Sequence, residues 1–153
     1  YSSHVFNYLV RILSDIPAAE DVLQETFVAV WRGASHFQGR SKIKTWIFKI
    51  AHHQAVNWLR KKKNTTSLEM VDETGWDDNP ETAALKRSAS REIEKAISRL
   101  SRKHRAVIEL SFVQDLSYGE IAEVLACPVG TVKSRMSYAL KYLSSYLDEV
   151  STA

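Results

Sequence analysis

Residues 117–143, SYGEIAEVLACPVGTVKSRMSYALKYL, decide the fold of this chain. Ser117 is followed three residues later by Glu120, and this pair forms a capping box that marks the start of a helix. The turn Ala126-Cys127-Pro128 then interrupts the apolar periodicity, and its proline presets the start of a second helix. The pattern predicts two helices joined by a tight turn at about residues 118–137.

The second of these helices combines an apolar stripe with a polar outer face. The expected stripe contains Val132, Met136, Ala139, Leu140 and Leu143, and the outer face presents Thr131, Lys133, Ser134, Arg135 and Ser137. The small Ala122 lets the two helices cross closely, so the layout is that of a helix-turn-helix. Such a helix inserts its N-terminal half into the major groove, where Lys133 and Arg135 reach guanine edges or phosphates and Ser134 reaches either. On spacing alone, an ordinary helical bundle remains the alternative.

Composition favours an all-α protein. The 153 residues are 44% hydrophobic and 25% charged, with only 3 Pro and 5 Gly, and the apolar residues recur at helical rather than alternating spacing. No apolar run approaches the roughly 20 residues of a membrane span, and the first residues lack a signal-peptide layout. A soluble, cytosolic protein without membrane insertion is expected. The single cysteine, Cys127, excludes an internal disulfide and a multi-cysteine zinc site.

Charge divides the chain into three segments. Residues 1–63 carry 10 Lys+Arg against 4 Asp+Glu, residues 64–85 carry 0 against 6, and residues 86–153 carry 11 against 8. This division predicts two small helical domains and an acidic linker, with boundaries at 1–63, 64–80 and 81–153. Each basic block is a candidate for binding nucleic acid, and a merely solvated surface is the alternative.

Two helices are predicted before the linker. Pro17, shortly after Asp15, opens the first, whose apolar face is expected from Ala18 to Trp31. Its opposite face carries a polar patch of Asp21, Gln24 and Glu25. The second is expected from about Ile43 to Arg60, with a core side of Trp46, Ile47, Ile50, Ala51 and Leu59.

Further helices are predicted after the linker. Asn79-Pro80-Glu81 has the residues of a helix start, and Ser101 can cap another helix that continues through Phe112. Their expected buried side chains are Ile93, Ala96, Ile97 and Leu100 in the first, and Val107, Ile108 and Leu110 in the second.

The stretch from Arg40 to Lys63 mixes bases with aromatic residues. It contains eight Lys and Arg and no acid, with Trp46, Phe48 and Trp58 among them and Phe37 just before. Lysines and arginines release counterions from phosphates, and aromatic faces stack on exposed bases, so this mixture suits single-stranded or opened DNA. Trp46 itself is expected to be buried, because a small helical domain needs large anchors.

Three segments together resemble the extracytoplasmic-function, or group 4, bacterial sigma factors. They are AEDVLQETFVAVW (19–31), FQGRSKIKTWIFKIAHHQAVNWLRK (37–61) and LSYGEIAEVLACPVGTVKSRM (116–136), in the family's order and with an acidic linker before the third. The resemblance covers nearly the whole chain, with the N-terminal part of the first bundle expected to be missing. It implies a factor that binds core RNA polymerase and directs it to promoters.

The resemblance also implies roles for particular residues. The face with Asp21, Gln24 and Glu25 would bind the clamp coiled coil of the largest polymerase subunit, while the C-terminal domain would contact the flap. The implied −10 DNA-binding residues are Phe37, Gln38, Arg40, Lys42, Lys44, Lys49 and His53, and the loop from His36 to Lys44 would hold a flipped base. The implied −35 DNA-binding residues are Thr131, Lys133, Ser134, Arg135, Ser137 and Tyr138. An anti-sigma factor that inhibits the protein, and that could hold it near the membrane and away from the nucleoid, is a further implied partner.

This chain departs from the family pattern at three places. His52 and His53 stand where many relatives carry Asn after Ile-Ala-Arg, so the family's −10 base preference is not carried over. Tyr138 and Leu140 replace arginines of the recognition helix, which weakens phosphate contact. Ala126 replaces a turn Gly or Asp, at a cost of about 1 kcal/mol or less if that residue is left-handed.

Three alternative functions were weighed against the sigma factor. A stand-alone helix-turn-helix regulator would leave residues 18–63 unexplained and would bind specific DNA tightly without polymerase. A recombinase or nuclease would need acids or histidines at metal-ligand spacing, and the adjacent His52 and His53 point to different sides of a helix. The third alternative is an inactive partner protein that only resembles a sigma factor. No catalytic residue, metal or cofactor is expected.

Overall fold

Three helices make up the first half of the chain in the computed structural model, which describes residues 1–65 and 88–152. They are α1 (Ser2–Leu13), α2 (Ile16–Gly33) and α3 (Ile43–Thr65), with a 3₁₀ turn at Ala34–His36 after α2. Asp15 caps α2 by accepting a hydrogen bond from the Ala18 N–H at 3.1 Å, and Pro17 lies in its first turn. The predicted start of this helix is therefore confirmed, and α3 is longer than expected.

Residues 88–152 contain four helices. They are α4 (Ser88–Ser98), α5 (Arg102–Ile108), α6 (Tyr118–Leu125) and α7 (Val129–Thr152), and a π-helical turn at Glu109–Val113 follows α5. Ser101 occupies the N-cap position of α5, but its hydroxyl contacts the His104 ring rather than the backbone. The start predicted at Asn79-Pro80-Glu81 and residues 66–80 of the linker lie outside the described residues.

Each half packs around its own apolar side chains, and the two sets join in one continuous core. Within the first half, the buried rings of Tyr8 and Phe48 meet edge to face with centroids 5.5 Å apart. In the second half α7 packs against α4, α5 and α6. The halves meet where α3 packs on α6 and α1 packs on α5. The prediction of two helical domains in an all-α fold is confirmed, and residues 1–65 and 88–152 contain no strand.

Three residues expected in apolar faces are exposed instead. Trp31 is 84% exposed, Ile93 46% and Leu140 43%. Leu140 follows Ala139, and one residue turns the helix by about 100°, which carries its side chain past the edge of the buried stripe. Trp31 lies seven residues after the exposed Gln24, close to two full turns, which places both on the outward face of α2. Ile93 lies a turn before the buried Ala96 and Ile97, where α4 is not covered.

Candidate nucleic-acid and polymerase interfaces

The helix-turn-helix is formed by α6 and α7. Ser117 and Glu120 make the predicted capping box: the Ser117 hydroxyl accepts from the Glu120 N–H at 3.1 Å, and the Glu120 carboxylate accepts from the Ser117 N–H at 2.9 Å. Ala126 ends α6 in the left-handed conformation, with φ 53° and ψ 49°. The Cys127 N–H donates to the Ala122 carbonyl at 3.1 Å, which closes the turn. Local sequence signals therefore set the angle at which α7 leaves α6.

Helix α7 presents a polar face to solvent. Of the six residues implied to read the −35 element, Lys133, Ser134, Ser137 and Tyr138 are exposed and Thr131 is half-buried. Arg135 is also half-buried, because it lies beside the stripe of Val132, Met136 and Ala139. Lys141 is exposed one turn beyond Ser137 on the same face, and the sequence comparison had not singled it out. The exposed surface is thus centred on Lys133, Ser134 and Ser137.

Tyr138 packs against a ring inside the protein, and the charge of Arg135 acts on the same ring. The Tyr138 ring lies against the His104 ring of α5 with centroids 4.5 Å apart. Burial, followed by the charges of Arg135 and Lys103, lowers the pKa of His104. A neutral His104 can stack on Tyr138 beside the Arg135 guanidinium without adding a second positive charge. His104 therefore helps to orient the Tyr138 ring on the exposed polar face of α7.

The residues implied to read the −10 element lie on the loop between α2 and α3 and on α3 itself, where Lys44, Lys49 and His53 are placed. Phe37 is half-buried because its ring lies on Trp46, with centroids 4.7 Å apart. Gly39 has a φ of 69°, a left-handed conformation that favours glycine. Gln38, Arg40, Lys42, Lys49 and His53 are exposed and Lys44 is half-buried. Trp46 is partly rather than fully buried, and it acts as the platform for Phe37.

Gly33 sets the position of that platform. A Cβ atom added at Gly33 would lie 3.2 Å from Cζ2 of Trp46, closer than most side-chain contacts allow. The absence of a side chain at residue 33 lets the indole lie against the C-terminal end of α2. The loop, the indole and the end of α2 therefore form one packed unit.

A cleft of about 740 Å³ separates this loop from α6. One wall is Gly39, Arg40, Ser41, Lys42 and Thr45, and the other is Ser117, Gly119, Glu120 and Glu123. Thr45 donates its hydroxyl hydrogen to Glu120 Oε2 at 3.0 Å, and Lys42 Nζ lies 3.8 Å from the same oxygen. Hydrogen bonds from Ser117 are the main cause that lowers the pKa of Glu120, with smaller contributions from Thr45 and Lys42. A carboxylate thus faces the basic loop across the cleft.

A second groove, of about 780 Å³, lies between α3 and the end of α6. Its α3 side includes Trp46, Lys49 and His53, and its α6 side includes Val124 and Leu125. Among the described residues, those that line the groove include no acid. The groove therefore combines apolar surface with positive charge.

His52 and His53 occupy different environments. The Tyr8 hydroxyl and His52 Nδ1 are 2.9 Å apart, and burial, with smaller effects from His53 and Arg135, lowers the pKa of His52 to about 4. Burial also raises the pKa of Tyr8. His52 is therefore a neutral packing residue at neutral pH, while the exposed His53 is the member of the pair that can meet a ligand.

The outer face of α2 carries more than the predicted polar patch. Asp21, Gln24 and Glu25 are exposed, as expected for residues that would contact a partner. Val28 and Trp31 continue the same face at helical spacing and are 49% and 84% exposed. The sequence did not indicate this apolar extension of the outer face, because Trp31 also fits the periodicity of the apolar face of α2 and was expected on that side of the helix.

Within residues 1–65 and 88–152, no group of three or more His, Cys, Asp and Glu side chains is placed to hold a metal ion. No helix in this part of the chain is long and apolar enough to cross a membrane.

A three-helix half joined to a helix-turn-helix half defines the class of this protein as an all-α helix-turn-helix protein, and comparison with known proteins gives the family. Residues 1–65 match the Sigma-70 region 2 family, and residues 90–143 match the Sigma-70, region 4 family. RNA polymerase sigma factor YlaC of Bacillus subtilis is 32% identical over 91% of this chain and 83% of its own length. ECF RNA polymerase sigma factor SigW of the same organism is 31% identical over 98% of this chain and 86% of its own length. The chain belongs to the extracytoplasmic-function RNA polymerase sigma factors.

The fold is shared with a solved structure. The sigma factor RpoE of Bartonella quintana, determined in complex with the anti-sigma factor NepR, matches with a TM-score of 0.79 and 23% identity. The match covers 96% of this chain and 91% of RpoE.

Proposed function

We propose that this protein binds core RNA polymerase and directs it to promoters, where α7 reads the −35 element and the 36–44 loop with α3 reads the −10 element. The observation that carries the proposal is the presence, in one chain, of a helix-turn-helix with an exposed polar face and a separate basic loop backed by aromatic rings. The two occur in the order of sigma regions 2 and 4. The proposed domain boundaries are 1–63, 64–80 and 81–153.

At the −35 element, α7 enters the major groove by its N-terminal half. Lys133 meets guanine edges or phosphates, and Ser134 and Ser137 hydrogen-bond to base edges or phosphates. Tyr138 contacts the flanking backbone from its position against the His104 ring, and the half-buried Arg135 contacts the same backbone. Lys141 adds a phosphate contact at the end of the DNA-facing surface.

At the −10 element, basic side chains of the loop and of α3 attract the phosphates of the opened strand. Arg40, Lys42, Lys44 and Lys49 supply positive charge, and Phe37 on the Trp46 platform offers an aromatic edge beside an extruded base. Gln38 and His53 supply hydrogen-bonding groups to base edges. The protein performs no covalent step, so its contribution to initiation is discrimination among DNA sequences.

Polymerase docks on the outer face of α2, where Asp21, Gln24 and Glu25 meet the clamp coiled coil of the largest subunit. The second half of the chain contacts the flap. Two solved neighbours were determined with anti-sigma factors, NepR and the cytosolic domain of CnrY, and they support an anti-sigma partner for this protein also. Released from that partner, the protein acts on the nucleoid.

The experiment that tests the function combines a pull-down with core RNA polymerase and run-off transcription from a promoter library. The wild-type chain is expected to bind core and to yield specific transcripts. Asp21→Arg with Gln24→Ala is expected to abolish core binding while keeping its helical circular dichroism, because both side chains are exposed. Tight binding to duplex DNA without any binding to core would instead identify a stand-alone regulator.

A further inference from the structure

A histidine borders the proposed −35 surface without belonging to α7. His104 lies on α5, and its ring packs on the Tyr138 ring with centroids 4.5 Å apart and an interplanar angle of 41°. Tyr138 is 57% exposed and is one of the residues proposed to meet the DNA backbone. His104 is half-buried, so part of its ring reaches solvent. The imidazole therefore lies at the edge of the surface that would meet DNA.

Two neighbours fix the orientation of this imidazole. Ser101, at the N-cap position of α5, contacts His104 Nδ1 through its hydroxyl, and Tyr138 covers one face of the ring. A serine hydroxyl can donate a hydrogen bond to a neutral ring nitrogen or accept one from a protonated ring. The contact with Ser101 is therefore compatible with both protonation states, and Nε2 is the ring nitrogen that can donate to a ligand.

Positive charges surround the ring. Burial is the first cause that lowers the pKa of His104, and the charges of Arg135 on α7 and Lys103 on α5 lower it further. On the other elements packed against α5, Arg11 of α1 and Glu109 of the π-helical turn pair with each other, with Arg11 Nε 3.1 Å from Glu109 Oε1. Among the described residues, the causes that act on the pKa of His104 include no acid. In the free protein the ring is therefore neutral at neutral pH.

A DNA backbone at this surface would reverse the electrostatic environment of the ring. A phosphate close to the imidazole favours the charged form, whereas Arg135 and Lys103 oppose it in the free protein. Protonation of His104 and binding of a phosphate beside Tyr138 must then favour each other, because linkage between two binding events is reciprocal. The tyrosine brings no positive charge of its own, so an imidazolium at residue 104 supplies the cation at this point of the surface.

We propose that His104 is a further DNA-backbone contact of the −35 surface, neutral in the free protein and protonated in the complex. The proton comes from solvent and binds at Nε2, which then donates to a phosphate oxygen next to Tyr138. This inference rests on the proposed reading of the −35 element by α7. Binding at the −35 element should then strengthen as the pH falls, because the free protein takes up the proton more readily at low pH.

The size of the effect follows from the linkage. Uptake of one proton changes an affinity by at most about tenfold per pH unit. The contact is partly exposed to solvent, which screens it, so the total gain between about pH 7.5 and about pH 5.5 should be roughly three- to tenfold. The gain should disappear when residue 104 cannot titrate.

The test measures binding of the full chain, assembled with core polymerase, to a fluorescein-labelled duplex that carries the −35 element of a promoter from the run-off library. At each pH the dissociation constant of a variant is divided by that of the wild-type chain, so that titration of the polymerase cancels. His104→Gln removes the charge, and His104→Arg makes it permanent while keeping a planar group that can stack on Tyr138. The matched control is His4→Gln, which removes an exposed histidine of α1. Circular dichroism checks that all variants keep their helices.

The ratio for His104→Gln should lie near one at the higher pH and rise to roughly three- to tenfold at the lower pH. His104→Arg should bind more tightly than the wild-type chain at the higher pH and equally at the lower pH, and the ratio for His4→Gln should stay near one throughout. A loss for His104→Gln that is equal at every pH would mean that the ring only positions Tyr138, and it would overturn the proposal, as would no loss at any pH. Lys133→Ala on the same duplex tests the reading helix separately, so a loss there leaves the proposed function standing even if His104 fails.

Discussion

Trp31→Ala tests how far the proposed polymerase-docking face extends along α2. Trp31 is 84% exposed, so its truncation removes almost no packing and should change the free energy of unfolding by no more than about 0.5 kcal/mol. A tryptophan at this exposure on a docking face is a strong candidate for a binding hot spot, because it loses most of its hydration only in the complex.

The expected loss of binding follows from that hot-spot role. Truncation of an interface hot spot costs about 2 kcal/mol or more of binding free energy, which corresponds to a roughly 30-fold larger dissociation constant for core polymerase. Val28, which is 49% exposed on the same face, should show a smaller loss when replaced by serine.

The assay is titration of fluorescently labelled protein with core polymerase, with thermal unfolding measured in parallel. Tyr138→Ala is the matched control, because Tyr138 is 57% exposed on α7 and belongs to the proposed DNA surface. If Trp31→Ala bound core as tightly as the wild-type chain, the docking face would end at the polar patch and the inference from exposure would be wrong.

Three further predictions concern DNA reading, the turn and pH. Lys133→Ala should weaken binding to the −35 element by roughly 1–3 kcal/mol, measured by footprinting, and should leave binding to core polymerase unchanged. Adding Arg135→Ala should weaken binding to the −35 element further. Unaltered footprints would argue against α7 as the reading helix. Ala126→Gly should raise the free energy of unfolding by up to about 1 kcal/mol, measured by urea unfolding, because Ala126 is left-handed. A lower urea midpoint for the variant would show instead that the Ala126 methyl group contributes packing. Burial lowers the pKa of His52 to about 4, below its usual 6.5. Between pH 4 and pH 6.5 the unfolded chain therefore binds more protons than the folded chain. The free energy of unfolding should therefore fall as the pH drops from about 6.5 to about 4, by at most about 1.4 kcal/mol per pH unit. His52→Gln should flatten that slope, whereas His53→Gln should not. Equal slopes in the wild-type chain and both variants would place the proton uptake elsewhere.

The elements that were predictable from sequence are those fixed by neighbouring residues. The capping box at Ser117 and Glu120 and the start of α2 at Asp15 and Pro17 depend on contacts within one turn, and both lie where the sequence predicts them. The left-handed conformation of Ala126 was only a condition in the sequence, and the structure gives it a φ of 53°.

The contacts between halves could not be read from the sequence in the same way. Thr45 and Glu120 are far apart in the chain, and nothing in their local patterns indicates that they meet. Leu140 and Trp31 illustrate the same limit, because periodicity shows which side of a helix is apolar but not how far a neighbouring helix covers it. The half-burial of Arg135 likewise could not be read from the periodicity of α7.

Gly33 offers a way to alter promoter choice without replacing a DNA-contacting residue. A methyl group at residue 33 would push on the Trp46 indole, and the indole supports Phe37 at the start of the loop. A displacement of a few tenths of an ångström at the end of α2 would therefore be passed to the residues proposed to hold an extruded base. Under the proposed role of the loop, promoter preference would depend partly on the space behind the loop, and selection could act on that space while every side chain proposed to face DNA stays the same.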